Sequence, residues 1–551
     1  MMIIKNINSL TRVFGKTDPG GELLFATMLL NDLYNYQVAI CPENDMFLKF
    51  MIESDIDEAV TVKNIFSVPS EFEIYSDAET ETGYEFSPDK TYPDVLFPAE
   101  NHVVFAKKDA WCSLWISIDS SNLLPGRHYI RLIFLNPQTH EKVAESEKLE
   151  LEVLPVVLDP QTLIYTNWLH CDCLSHYYNE PVFSEKFWEI LESYIKTAVD
   201  HGMNMLLTPI FTPPLDTAAG TERLTVQLVV VKKKEDGYLF DFDKLGRWID
   251  TAKRCGIEYF EISHLFTQWG VTSCPKIVAE VNGEERRIFG WDTEADSPEY
   301  TSFLNMFLPE LTDFLRKKGV AGNTYFHISD EPAAQFIERY RFASDLIKKH
   351  LGAEFRTFDA LSDYEFYENG LVETPIPSTS AIEAFRNVKE LWTYYCCAQY
   401  HNGLSNRFFC MPSFRNRMIG VQLYIYNVKG FLHWGYNFYN TQNSFEKINP
   451  YLVTAAGATF PSGDAFVVYP ASDGSAISSL RFEVFADALR DLRALQTLEK
   501  FLGRETVLQT IHEGLDYKIT MSKYPQNGEW LLSLRAKINS FLEKTAETSS
   551  K

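Results

Sequence analysis

Asn323-Thr324-Tyr325-Phe326-His327-Ile328-Ser329-Asp330-Glu331-Pro332 is the run whose reading decides the fold. It begins as a short aromatic and β-branched strand and ends in two carboxylates and a proline. A helical pattern follows from Ala333 to about Leu351. Strand, acidic pair, helix is how a parallel α/β barrel presents chemistry, because side chains at the C-terminal ends of its strands face the pocket. Pro332 disfavours helical φ/ψ at Glu331, which places the pair in the turn and not in the helix. Adjacent carboxylates repel, which raises one pKa and retains one proton, as a general acid needs. The competing reading is a solvated Asp-Glu cap on the following helix.

Strand and helix patterns alternate on both sides of this run. Strands are expected at 163–168, 203–208, 259–264, 323–327, 355–360, 373–376, 391–395 and 430–434, with a further one at 465–469, helices at 183–201, 242–254, 300–318, 415–426 and 480–502, and short helical pieces near 364–368 and 382–387. A hairpin is expected at 224–231 and 238–240 within the insertion after the second strand. Eight such units fit one (β/α)8 TIM barrel. Before it, short apolar or alternating runs at 22–29, 36–40, 56–62, 72–75, 102–105, 110–118, 126–134 and 148–153 are separated by turn clusters such as Leu124-Pro125-Gly126. These suggest a β-sandwich. The expected layout is an N-terminal β-sandwich (1–158), a (β/α)8 barrel (159–505) and a short helical C-terminal extension (506–551).

Asp and Glu number 75 against 51 Lys and Arg, a net charge of -24. That balance argues against nucleic acid or an anionic membrane as partner. The nine cysteines include no CxxC; neither Cys171-Asp172-Cys173 nor Cys396-Cys397 has a zinc spacing. Reduced thiols suit a reducing compartment. The first eleven residues lack the apolar core and cleavage site of a signal peptide, and no run approaches the roughly 18 apolar residues of a membrane helix. The expectation is a cytoplasmic protein without membrane insertion.

The expected strand ends are polar and aromatic: Asn167 and Trp168; His264; His327 before Asp330 and Glu331; Tyr395; Trp434 followed by Tyr436 and Asn437, with Asp464 further on. Flat rings stack on sugar C–H faces, and carboxylates and amides bond hydroxyls, so this mix suits a carbohydrate. A metal reading would draw on His264, His327, His433 and Asp330, but these lie on separate strands without HxH or HExxH spacing. No GxGxxG follows a strand. Neither a metal nor a cofactor is expected.

Glycoside hydrolysis normally uses two carboxyls across the scissile bond. The seventh expected strand has none at its C-terminal end, since Glu390 lies at the other. A substrate 2-acetamido group can serve as nucleophile instead. Asp330 then orients and stabilises the acetamido nitrogen, Glu331 acts as acid and then base, and Tyr395 could donate to the acetamido oxygen. Two alternatives stay open: a glycosidase of the same fold on another sugar, with Asp464 or Asp292 as partner carboxylate, and a non-catalytic carbohydrate-binding barrel protein.

Asp330-Glu331-Pro332, Trp434-Gly435-Tyr436-Asn437, Gly463-Asp464-Ala465-Phe466-Val467-Val468-Tyr469-Pro470 and Ser479-Leu480-Arg481-Phe482-Glu483 together resemble glycoside hydrolase family 123 and the related domain-of-unknown-function family 4091. The resemblance covers roughly residues 160 to 500. It implies a β-sandwich joined to a (β/α)8 barrel and exo-acting β-N-acetylgalactosaminidase activity by the substrate-assisted, retaining route. It also implies Asp330 as acetamido stabiliser and Glu331 as acid/base. The implied partner is a glycan ending in β-linked N-acetylhexosamine; a homo-oligomer is left open.

Overall fold

The computed structural model describes residues 2–549. The N-terminal region is two sheets around one apolar core. The first runs in the order Met2–Asn8, Leu33–Pro42, Cys112–Asp119, Val60–Pro69 and Thr91–Pro98. The second runs Phe25–Leu30, Leu149–Val157, Gly126–Leu135, Met46–Ser54 and Val103–Ala106, with Lys142–Glu145 beside Gly126–Leu135. Pairing is antiparallel except between Leu149–Val157 and Phe25–Leu30. Leu114, Ile116 and Ile118 from one sheet and Ile130, Leu132 and Phe134 from the other alternate inward, as period-two patterning requires.

The expected strand at 72–75 does not form. Residues there lie against the barrel, where Ser462 N–H donates to Phe72 O at 2.8 Å and the Glu71 carboxylate accepts from Thr454 and Ala455 N–H. The barrel loop satisfies these backbone groups, so no ladder is needed.

Eight parallel strands follow: Ile164–Asn167, Met205–Thr208, Tyr259–Ile262, Thr324–Phe326, Arg356–Ala360, Thr374–Ile376, Trp392–Tyr394 and Gly430–His433, here barrel strands one to eight. Their ladders give the order six-five-four-three-two-one-eight-seven. Among the described residues, the isolated parallel bridge from Ser378 to Tyr394 spans the remaining gap between six and seven. The sheet is a nearly closed barrel. Gly430 matters at its base, since a Cβ there would fall 2.0 Å from the Trp392 ring that fills the barrel floor.

The surrounding helices depart from regular alternation. Two follow strand one, Cys171–Tyr178 and Glu185–Asp200; strand five is followed by only one turn, Glu365–Glu368, and strand six by the 3-10 segment Ile382–Phe385. The expected helix at 415–426 is two pieces, Ser413–Arg417 and Ile419–Ile425. The expected hairpin lies at Val230–Lys234 and Gly237–Asp241, joined by Ile277–Val281 and Glu284–Phe289 into a four-stranded sheet. The helix Leu480–Leu502 starts on Ser479, whose side chain accepts from Phe482 N–H. The C-terminal helix Gly528–Ser549 packs on it and on strands Phe25–Leu30 and Leu149–Val157, tying the two regions together. No helix among the described residues is long and apolar enough to cross a membrane.

Candidate active site

The Asp330–Glu331 turn leaves strand four at the C-terminal face of the barrel and is fixed from both sides. From the strand-three loop, Trp269 N–H donates to Asp330 O at 2.7 Å, and Thr267 O accepts from Ser329 Oγ at 2.8 Å. From strand five, Ala360 O accepts from Glu331 N–H at 2.9 Å. Glu331 has φ +44°, a left-handed conformation that a non-glycine residue keeps only when its surroundings impose it. Both side chains are half-buried.

Beneath the pair is a buried charge array. His327 points into the barrel, with Nδ1 2.8 Å from Asp359 Oδ1 and Nε2 2.5 Å from Glu261 Oε1. Glu261 also accepts from Thr166 Oγ1 at 2.6 Å and Trp168 Nε1 at 2.7 Å. Asp359 also accepts from Ile328 and Ser329 N–H and from Tyr340 Oη at 2.5 Å. Strands one, three, four and five are thus joined under the turn. Burial alone would depress His327. The Glu261 charge and the two carboxylate hydrogen bonds overcome it and lift its pKa to about 9, so the ring is an imidazolium at neutral pH. Asp330 lies well above the usual carboxylate range. Burial is the main cause and the Glu331 charge the next; His327 offsets part of it.

His264 stacks on His327 at 3.9 Å between centroids and 18° between planes. Burial, then the His327 charge, holds its pKa well below the usual value, so it is neutral. Both its ring nitrogens are buried without a hydrogen-bond partner among the described residues. Trp168 lies edge-on to both rings. His264, His327 and Asp359 bring ligand-type atoms within 4.8 Å of one another. Both His327 nitrogens are already bonded to carboxylates. The in-plane lone pairs of two near-parallel rings run side by side, a poor geometry for sharing one ion.

On the opposite wall, Trp434 Nε1 donates to Asp464 Oδ2 at 3.0 Å, and His433 Nε2 lies 3.5 Å from Asp464 Oδ1. His433 Nδ1 accepts from Arg407 and Gly435 N–H, which places its proton on Nε2, facing Asp464. Asp464 is fully buried, and burial pushes its pKa up to about 7 against the opposing Arg407 charge.

Four of the expected residues lie away from this mouth. Tyr395 faces outward, packing on Phe431 and 3.5 Å from Asn416 Oδ1. Its neighbour Tyr394 faces inward and donates to Glu331 Oε1. Asn167 also faces outward, donating to Tyr165 Oη at 3.2 Å. Tyr436 is buried against Tyr194 and Phe482. Asn437 uses its amide on the His170 backbone, accepting at 2.8 Å and donating at 3.1 Å. Asp292, held as an alternative partner, is ion-paired with Arg287 at 2.5 Å on the surface. Tyr394, beside Tyr395 at the expected end of strand seven, was not singled out as a site residue, and Glu261 and Asp359 were not singled out at all. The signal for Tyr394 was period-two alternation from Trp392; for Glu261 and Asp359 it was a carboxylate in a barrel strand next to aromatic or aliphatic residues.

A family model described as glycoside hydrolase 123, catalytic domain, matches residues 168–498. The chain belongs to glycoside hydrolase family 123. It is similar in structure to a family 123 glycoside hydrolase from Clostridium perfringens, solved in a study of glycolipid glycan hydrolysis. That match has 16% identity, covers 100% of each chain and has a TM-score of 0.76. A β-glucuronidase from Ruminococcus gnavus matches at 9% identity over 84% of this chain and 88% of its own, with a TM-score of 0.29. No curated protein sequence matches the chain. Membership of the family makes this chain a glycoside hydrolase with a glycan as substrate.

Proposed function

We propose that this hydrolase is an exo-acting, retaining β-N-acetylhexosaminidase that favours N-acetylgalactosamine and uses the substrate's 2-acetamido oxygen as nucleophile. The observation that carries this reading is the pair itself. Two consecutive carboxylates share the strand-four turn, and strand seven offers Glu331 a phenol, Tyr394, where a second enzyme carboxylate would otherwise stand. Asp330 accepts the acetamido N–H and orients its oxygen toward the anomeric carbon. Burial and Glu331 disfavour the charge on Asp330 in the empty site. The positive charge that develops on the acetamido group relieves that penalty, so the interaction strengthens in the transition state. Glu331 protonates the leaving oxygen and then deprotonates the attacking water. Tyr394 takes a different role from the one expected of Tyr395: its hydroxyl proton goes to Glu331 and not to the acetamido oxygen, fixing Oε1 and leaving Oε2 for the substrate. Trp168, His264, Trp434 and Asp464 form the walls of the sugar site.

The same reading takes the eight strands as a (β/α)8 barrel spanning about 159–505, after a β-sandwich and before a helical extension. Nine free cysteines favour a cytoplasmic setting. The test is hydrolysis of aryl β-N-acetylgalactosaminide against the β-N-acetylglucosaminide, with a thiazoline analogue of the oxazoline as inhibitor. Hydrolysis with inhibition supports the acetamido route. Turnover of sugars lacking the 2-acetamido group would replace it.

A further inference from the structure

Of ten tryptophans, Trp269 alone is exposed, at 51%, and it lies on the strand-three loop that bonds the acidic turn. Its position is imposed by the backbone. Its N–H bonds Asp330 O at 2.7 Å, so the residue is stitched to the catalytic turn. Trp269 has φ +66° and Val271 has φ +54°, two strained left-handed residues around Gly270. A Cβ on Gly270 would meet the Phe336 ring at 3.2 Å, so the loop lies close against that ring. Val271 is buried, and the preceding Gln268 side chain accepts from Asp216 N–H at 2.9 Å and donates to Thr217 O at 3.3 Å. Every neighbour is anchored while the indole faces solvent. A large apolar ring exposed on a strained, well-braced loop that is bonded to the acidic turn marks a contact surface and not a packing residue.

We propose that Trp269 is the platform of the leaving-group subsite, stacking on the apolar C–H face of the sugar that departs. This rests on the exo-hydrolase reading above. The terminal residue then occupies the floor between His264, Trp168 and Trp434, and the next sugar emerges at the rim beside Glu331. An indole presents the broad, rigid face that such stacking uses.

The test uses full-length protein carrying Glu331→Gln, so that glycosides bind without turnover. Calorimetry compares a β-N-acetylgalactosaminyl-galactose disaccharide with methyl β-N-acetylgalactosaminide, which has no second ring. Trp269→Gly suits the left-handed backbone and preserves the loop. It is expected to weaken the disaccharide about ten-fold and leave the methyl glycoside within about two-fold. Trp269→Tyr restores most of the loss. Equal effects on both ligands, or none on either, overturn the platform. In the parent enzyme, hydrolysis of neither glycoside with the stacking difference intact counts against the proposed activity alone, whereas binding of neither overturns both.

Discussion

The Tyr394 hydroxyl donates to Glu331 Oε1, linking the end of strand seven to the strand-four turn. The same tyrosine makes the bridge to Ser378 that spans the open side of the sheet, and its N–H reaches Pro377 O at 3.2 Å. One residue therefore sets both the seam of the barrel and the orientation of the proposed acid. Tyr394→Phe is expected to lower kcat by about ten-fold or more, the value of one charge-assisted hydrogen bond. Tyr395→Phe, which loses only a long contact to Asn416, is expected to stay within about three-fold. Steady-state kinetics of the two single variants check the register of strand seven.

Glu331→Gln is expected to reduce kcat by about 10²–10⁴, the usual contribution of a positioned general acid. The loss should be smaller with an activated aryl leaving group, which departs without protonation. A uniform loss across leaving groups would count against the acid role.

Asp330→Asn should have opposite effects on activity and stability. Burial and Glu331 disfavour its ionised form in the folded protein, so the charge opposes folding at neutral pH. The amide variant is expected to melt higher than the parent at pH 7 while losing most activity. Calorimetry and kinetics on one preparation give both readouts.

His327 makes stability depend on pH on the alkaline side. Its folded pKa, about 9, lies above the ordinary 6.5. Its contribution is complete below about pH 6.5 and is lost as pH rises through about 9. The melting midpoint should fall across that window. His327→Gln should be less stable by roughly 3–5 kcal/mol at neutral pH, the cost of buried carboxylates left unpaired, and the gap should narrow as pH rises through about 9.

Asp359→Ala removes the carboxylate that holds His327, Tyr340 and two backbone N–H groups. A cost of about 3–5 kcal/mol is expected. Urea denaturation measures it.

The sequence carried the barrel strands because each is short, apolar or β-branched and bounded by a polar end. It carried the acidic turn because Pro332 marks where strand four stops. It did not carry side-chain direction. In a period-two element, one residue of register moves a side chain from lumen to outer layer, which is how Tyr395 and Asn167 were placed in the site and Tyr394 was not. Met46–Ser54 escaped because Met46-Phe47-Leu48 and Phe50-Met51-Ile52 are unbroken apolar triplets without alternation. Thr91–Pro98 escaped because Pro93 breaks a strand pattern; it lies at a sheet edge, where proline is tolerated. Glu261 and Asp359 escaped because the histidine they share comes from another strand, 66 and 32 residues away in the chain.

The Pro461–Asp464 loop is held by both halves of the molecule. Ser70 Oγ lies 2.8 Å from Ser462 Oγ, and Arg481, which bonds Gly463 O, is paired with Asp94 at 2.9 Å. Asp94 and Arg481 are both almost wholly buried. Excising the barrel at residue 159 would leave the Arg481 guanidinium without its carboxylate and release the segment bearing Asp464. The barrel half is therefore not a transplantable module: the front sheets act as scaffolding for one wall of the proposed sugar site, and the chain should melt as a single cooperative unit.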